Sequence, residues 1–185
     1  MNTTSTTTTL HLFVYGTLKR GGRYHERFCR GVRSVESAIV GGRIYVLPVG
    51  YPVLTVPAAR ILAQGSGDPF ADVAAQAKAL TSVTDRSRWP RSRLRSGAPP
   101  ELAPELEPRD ERGVYDDVRG EILVFDDPEE RLPRIDELEG FRPSGASLYD
   151  RVLLTVLRER DARLVPAWTY VEGELLRKAR PPTIS

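Results

Sequence analysis

Leu12-Phe13-Val14-Tyr15 is an unbroken apolar run that ends abruptly in Gly16-Thr17-Leu18-Lys19-Arg20-Gly21-Gly22. Residues with this β and apolar preference suit a strand buried on both faces. The glycines after it let the chain turn sharply and let backbone N–H groups face a ligand. The pair therefore reads as a buried strand delivering a loop, and on these residues alone an ordinary turn serves as well as a binding loop. Similar strand patterns recur at Ser34–Val46, Tyr51–Val56, Asp117–Phe125, Tyr149–Leu157 and Leu164–Val171. Gly41-Gly42 predicts that the first of these is either bent or broken into two short strands by a bulge. Pro52 puts the second at a sheet edge or at its own strand start. In Asp117–Phe125, alternate Val118, Gly120, Ile122 and Val124 mark one buried face.

Helical signals are fewer. Tyr24 to Cys29 fits one short turn, with Tyr24 and Phe28 on the same side and Gly31 after it. Asp68-Pro69 is a cap followed by proline at the first helical position, and Phe70, Val73, Ala77 and Leu80 follow at helical spacing to about Val83. Asp127-Pro128-Glu129-Glu130 repeats the signal with a capping-box glutamate, and Leu132, Ile135 and Leu138 extend it to the Gly140 stop. Pro133 inside this pattern predicts either a kink or two helical pieces. The order β-β-β, insertion, β-α-β-β predicts an α+β fold: a small, mostly antiparallel β-barrel with one main helix packed on it.

Chain length bounds this to one domain, since 185 residues support a single core. Residues 1–10, rich in threonine, read as a disordered lead, 11–174 as the domain, and 175–185 as a polar tail. Within the domain, about 57–113 reads as a charged, Pro-rich insertion. It holds a basic run (Arg86, Arg88, Arg91, Arg93, Arg95, with Trp89) followed by acids from Glu101 to Glu111. Adjacent blocks of opposite sign neutralise one another, and the formal net charge is only +2, so charge argues against nucleic acid as a partner. No run approaches the roughly 20 apolar residues of a membrane span, and the first residues lack the basic and apolar regions of a secretory signal. A cytoplasmic location is the expectation.

Several chemistries lack their residues. The single Cys29 cannot form an intramolecular disulfide, and two histidines, His11 and His25, are few for a zinc site. Gly16-Thr17-Leu18-Lys19 lacks P-loop spacing, and no serine lies in a nucleophile elbow. The carboxylate that stands out is Glu139, in the last turn before Gly140. The helix C-terminus carries partial negative charge, which disfavours ionisation and raises the pKa toward that of a useful general base. The residues alone leave a second reading open, in which Glu139 is a helix-surface acid like Asp136 and Glu137.

Two separated stretches carry a resemblance. Phe13-Val14-Tyr15-Gly16-Thr17-Leu18-Lys19-Arg20-Gly21 resembles the opening signature of the γ-glutamylcyclotransferase-like (AIG2-like) family. Asp136-Glu137-Leu138-Glu139-Gly140, followed by Tyr149-Asp150-Arg151, is similar to its second signature. Val118-Arg119-Gly120-Glu121-Ile122 resembles the strand before that family's helix. The Leu-Lys-Arg-Gly continuation is similar to the branch acting on γ-glutamylamines.

The resemblance implies an enzyme that cyclises a γ-glutamyl group to 5-oxoproline and releases the attached amine. It implies Glu139 as catalytic acid/base. It implies Tyr15, Gly16, Thr17, Leu18 and Tyr149 as substrate-binding residues. The implied partner is a small-molecule γ-glutamyl substrate, with no metal and no other cofactor. The stretch from Glu139 to Tyr149 is longer than the family pattern, and His25 falls at a position often histidine in the family. Trp168 and Tyr170 read as core residues of the last strand, with the pocket as the alternative place for one of them. An alternative reading is a non-catalytic small-molecule binding protein on the same scaffold.

Overall fold

The computed structural model describes residues 9–82 and 116–180. The chain before residue 9, the Arg86–Arg95 and Glu101–Glu111 runs and the last five residues lie outside the described residues. Seven strands form one sheet: β1 Leu10–Val14, β2 Ser34–Val46, β3 Pro52–Thr55, β4 Ala63–Gln64, β5 Asp116–Phe125, β6 Tyr149–Arg158 and β7 Arg163–Glu172. Among the described residues four α-helices accompany them: α1 His25–Phe28, α2 Pro69–Ser82, α3 Pro128–Glu139 and α4 Glu174–Ala179. The strand order is β3-β2-β5-β1-β7-β6-β4, and a β2–β6 pairing closes the middle five into a barrel. Every pairing is antiparallel except β1 with β7.

Closure depends on β2. Its first half pairs with β5, Ala38 and Ile39 meet Arg158 and Leu157 of β6, and its end turns out to pair with β3. It is one continuous strand of 13 residues, so Gly41-Gly42 marks a change of partner and not a break. β3 begins at Pro52 and is the terminal strand of the order, where a residue without an N–H costs no ladder bond.

The barrel has a core on each side of its wall. Phe13, Ile122, Val152, Leu154 and Ala167 fill the inside. Leu12, Val14, Leu123, Phe125, Trp168 and Tyr170 face outward and pack with Leu132 and Ile135 of α3 and Val73 of α2. Burial on both faces is why Leu12–Val14 of β1 and Ile122–Phe125 of β5 are apolar without interruption.

α2 corrects one expectation. Val73 is buried as its spacing predicts, but Phe70, Ala77 and Leu80 are exposed, and Asp72 and Gln76 share the buried face with Val73. Tertiary bonds explain the polar pair. Gln76 accepts from the His11 N–H at 2.9 Å and donates to the Thr9 carbonyl at 3.0 Å, satisfying backbone ahead of the β1–β7 pairing. Asp72 pairs with the buried Arg151 of β6 at 2.7 Å.

α3 corrects another. The Asp127 side chain makes no capping bond; its carboxylate pairs with Arg131 at 2.8 Å, and Arg131 also donates to the carbonyls of Phe28 and Arg30. The acid that would cap α3 is used to dock α1. Pro133 lies within a single uninterrupted helix of 12 residues. The helix stops at Gly140, whose φ of 65° is left-handed. Phe141 N–H bonds back to the Asp136 carbonyl and Gly140 N–H to that of Glu137, a Schellman ending. α4 follows β7 directly, within the segment that reads as the start of the tail. No described helix is long and apolar enough to cross a membrane.

Candidate active site

A cavity of about 370 Å³ opens where the end of β1, the β2–β3 turn, the end of α3 and the start of β6 converge. Its lining includes Tyr15, Gly16, Thr17, Leu18, Glu139 and Tyr149, so these sequence-marked residues share one space.

The loop after β1 is held rigidly. Lys19 N–H bonds to the Gly16 carbonyl at 3.1 Å, and Tyr24 N–H to that of Thr17 at 3.0 Å. Buried His25 reaches the Leu18 carbonyl through Nδ1 at 2.8 Å, which makes it a loop support outside the cavity lining. Cys29 lies against the same carbonyl, and burial pushes its thiol up to about 11, the state of an inert thiol. Gly16 packs on β3 so closely that a Cβ would stand 2.9 Å from Pro52 Cγ. Among the described residues, the backbone N–H groups of Thr17 and Leu18 have no hydrogen-bond acceptor.

The tyrosines bind the walls together. Tyr15 Oη donates to the Tyr170 carbonyl at 2.8 Å and accepts from the Leu54 N–H at 3.2 Å. Burial holds this phenol well above its ordinary pKa. Tyr149 donates to the Pro52 carbonyl at 3.2 Å, and burial with the Glu139 charge raises it too. The long connection from α3 to β6 folds back on itself. Leu148 N–H bonds to the Gly140 carbonyl at 3.1 Å, and Ser147 bonds both backbone groups of Arg142. Tyr149 thereby returns to the end of α3 despite the added residues.

Glu139 is half-buried on the cavity wall. Its carboxyl is raised from 4.5 to about 7, first by burial and second by the charge of Asp136. Burial rather than the helix end comes first. Among the described residues no side chain neutralises it. Asp136, one helical turn earlier, accepts from Tyr170 Oη at 2.7 Å and pairs with Arg151 Nε at 3.1 Å. Arg151 in turn pairs with Asp72 and donates to the Ser66 carbonyl at 2.7 Å. An ordered chain, Asp72–Arg151–Asp136–Tyr170, thus underlies the wall that carries Glu139.

Sequence reading missed Tyr24, Leu47, Val49, Tyr51 and Leu148 as cavity residues, and Tyr170 joins them although it reads as core. Asp136 was legible in principle, being three residues before Glu139 on one helix face. The turn residues carry no local signal, because only the fold brings them to the cavity. Trp168 stays in the core, its indole N–H directed at the Asp72 carbonyl.

A simple charge balance follows from this lining. Among the described residues, Glu139 is its one carboxylic acid, and no lysine, arginine or histidine lines it. The site can hold a small molecule against aromatic and aliphatic walls, offer it free loop N–H groups, and exchange a proton with it near neutrality.

The profile of the family described as "Gamma-glutamyl cyclotransferase, AIG2-like" matches residues 12–67 and 73–184. The crystal structure of an AIG2-like protein from Mus musculus, 17% identical, covers 88% of this chain and 76% of its own, with a TM-score of 0.44. No curated protein matches the chain in sequence.

Proposed function

Because the chain belongs to the gamma-glutamyl cyclotransferase, AIG2-like family, we propose that it converts a γ-glutamyl amide to 5-oxoproline and a free amine, without a cofactor. Family membership supports a cyclotransferase at the family level. The observation that carries the specific reading is the raised Glu139 carboxyl in the same cavity as the Gly16–Leu18 loop.

The chemistry needs few parts. A substrate α-ammonium is no nucleophile, so Glu139, ionised near neutrality, takes its proton. The free amine then attacks the γ-carbonyl carbon, closing a five-membered ring. Holding the substrate folded supplies much of the rate, because the reaction is intramolecular. Charge develops on the carbonyl oxygen, and the free N–H groups of Thr17 and Leu18 suit that oxygen or the α-carboxylate. Collapse of the tetrahedral species breaks the amide C–N bond as protonated Glu139 gives its proton to the departing nitrogen, and the ring nitrogen then loses its surplus proton through the regenerated Glu139 carboxylate to the released amine or solvent, leaving the neutral lactam. Tyr15 and Tyr149 contribute ring walls, with their hydroxyls engaged by backbone. The Leu18-Lys19-Arg20-Gly21 continuation favours the γ-glutamylamine branch of the family.

Incubation with γ-glutamyl-ε-lysine, γ-glutamyl-alanine, glutathione and γ-glutamyl-benzylamide, followed by detection of 5-oxoproline, tests the reading. Turnover of any one is the expected result. Saturable binding with no 5-oxoproline from any of them would replace it with a binding protein.

A further inference from the structure

Depth divides the cavity. Its floor is buried: Phe13, Val14, Leu18 and Tyr170 are each at most 4% exposed. Its rim is open, with Val49 at 73% and Leu148 at 45% exposure. Glu139 and the loop N–H groups serve the γ-glutamyl head, where the ring closes. Tyr24, Leu47, Val49, Tyr51 and Leu148 remain for the other side of the scissile amide. Isolated exposed apolar residues need no explanation, but several converging on one cavity mouth do.

The hydroxyls of that outer part have neighbours within the protein. Tyr24 and Tyr51 place their hydroxyls 3.5 Å from each other, and Tyr149 Oη is on Pro52. Rings and aliphatic side chains make up most of what a ligand meets there. The β2–β3 turn presenting Leu47 and Val49 is a fixed surface. Leu47 N–H bonds to the Tyr51 carbonyl at 2.9 Å, and Gly50, at φ 89°, bonds back to Leu47 at 2.7 Å. Arg23 is a cation outside the lining, exposed to solvent with its guanidinium 5.6 Å from the Tyr24 ring centroid. A solvated charge of that kind contributes little to holding a partner ion.

We infer that the amine released by this enzyme is apolar, an aliphatic or aromatic amine whose carbon skeleton lies against Leu47, Val49, Tyr51 and Leu148. The inference rests on the cyclotransferase reading above. A leaving group that carries a carboxylate or a zwitterionic end would take that charge into a mouth whose described lining holds no cation, losing hydration without replacement. An apolar skeleton loses only unfavourable contact with water.

The test compares kcat/KM for γ-glutamyl-benzylamide, γ-glutamyl-ε-lysine and glutathione, read by 5-oxoproline. The released lysine ends in a zwitterion and the released dipeptide of glutathione in a carboxylate. The benzylamide is expected to exceed both by at least about tenfold, the scale of discrimination that apolar pocket contacts provide. Val49→Lys, at an exposed turn position, is expected to raise the glutathione-to-benzylamide ratio by a similar factor. Equal or better turnover of either charged amide, or an unchanged ratio in the variant, overturns the inference and leaves the cyclotransferase reading standing. No 5-oxoproline from any of the three overturns the inference, and none from γ-glutamyl-alanine either overturns the cyclotransferase reading with it.

Discussion

At the residue scale the account turns on how burial changes Glu139. A carboxyl raised to about 7 keeps its proton in the folded protein over a range in which the unfolded chain has released it. Stability therefore falls as pH rises from the ordinary value of 4.5 to about 7, and the loss is complete above that. Glu139→Gln removes the titration, so its melting temperature relative to wild type is expected to climb between about pH 4 and pH 8. A constant difference across that range would show that Glu139 does not titrate as described. Tyr15 makes a separate prediction. Its hydroxyl satisfies the Leu54 N–H and the Tyr170 carbonyl at once. Tyr15→Phe leaves both without that partner and is expected to cost about 1–3 kcal/mol in urea unfolding. A cost near zero would mean that water replaces the hydroxyl.

At the element scale, α3 delivers Glu139, and two devices aim it. The first is the Gly140 ending, where a side chain would be strained at φ 65° and a Cβ would stand 3.0 Å from Leu148 Cδ1. Gly140→Ala is expected to destabilise by about 1–2 kcal/mol and to raise KM, because Leu148 belongs to the cavity rim. The second is Arg151, at 1% exposure, which joins α2 and α3 through Asp72 and Asp136. Arg151→Met strands two acids in the interior and is expected to cost about 3–5 kcal/mol. A double-mutant cycle with Asp72→Asn measures the coupling, and independence of the two would remove the network from the account. These devices also mark what local sequence can express. The Gly140 stop was legible because helix endings follow local rules. The roles of Asp127 and of the α2 face were not, because Arg131, Arg151 and the backbone of Thr9 and His11 draw on those side chains from afar.

At the scale of the whole molecule, six of the seven described strands were legible from β-rich runs, and a barrel from their number and order, while the two-residue β4 left no pattern to read. Closure was not. It requires Ala38 and Ile39 to meet Arg158 and Leu157, and β1 to lie parallel to β7, pairings that no periodicity specifies. The cavity depends on the same closure. Glu139 and the Tyr15–Leu18 stretch stood out as short signatures, whereas Leu47, Val49, Tyr51 and Tyr24 are ordinary residues that become cavity wall only when the barrel forms. The central claim is that Glu139 moves the proton for cyclisation in that cavity. Its most direct test is the pH dependence of 5-oxoproline release by wild type and by Glu139→Gln on the best γ-glutamyl amide. The account predicts that wild-type kcat/KM rises with pH through about 7 as Glu139 ionises. It predicts a variant at least about a hundredfold slower, without that step, and still folded. A Glu139→Gln protein that cyclises as fast as wild type, with the same pH profile, would contradict it.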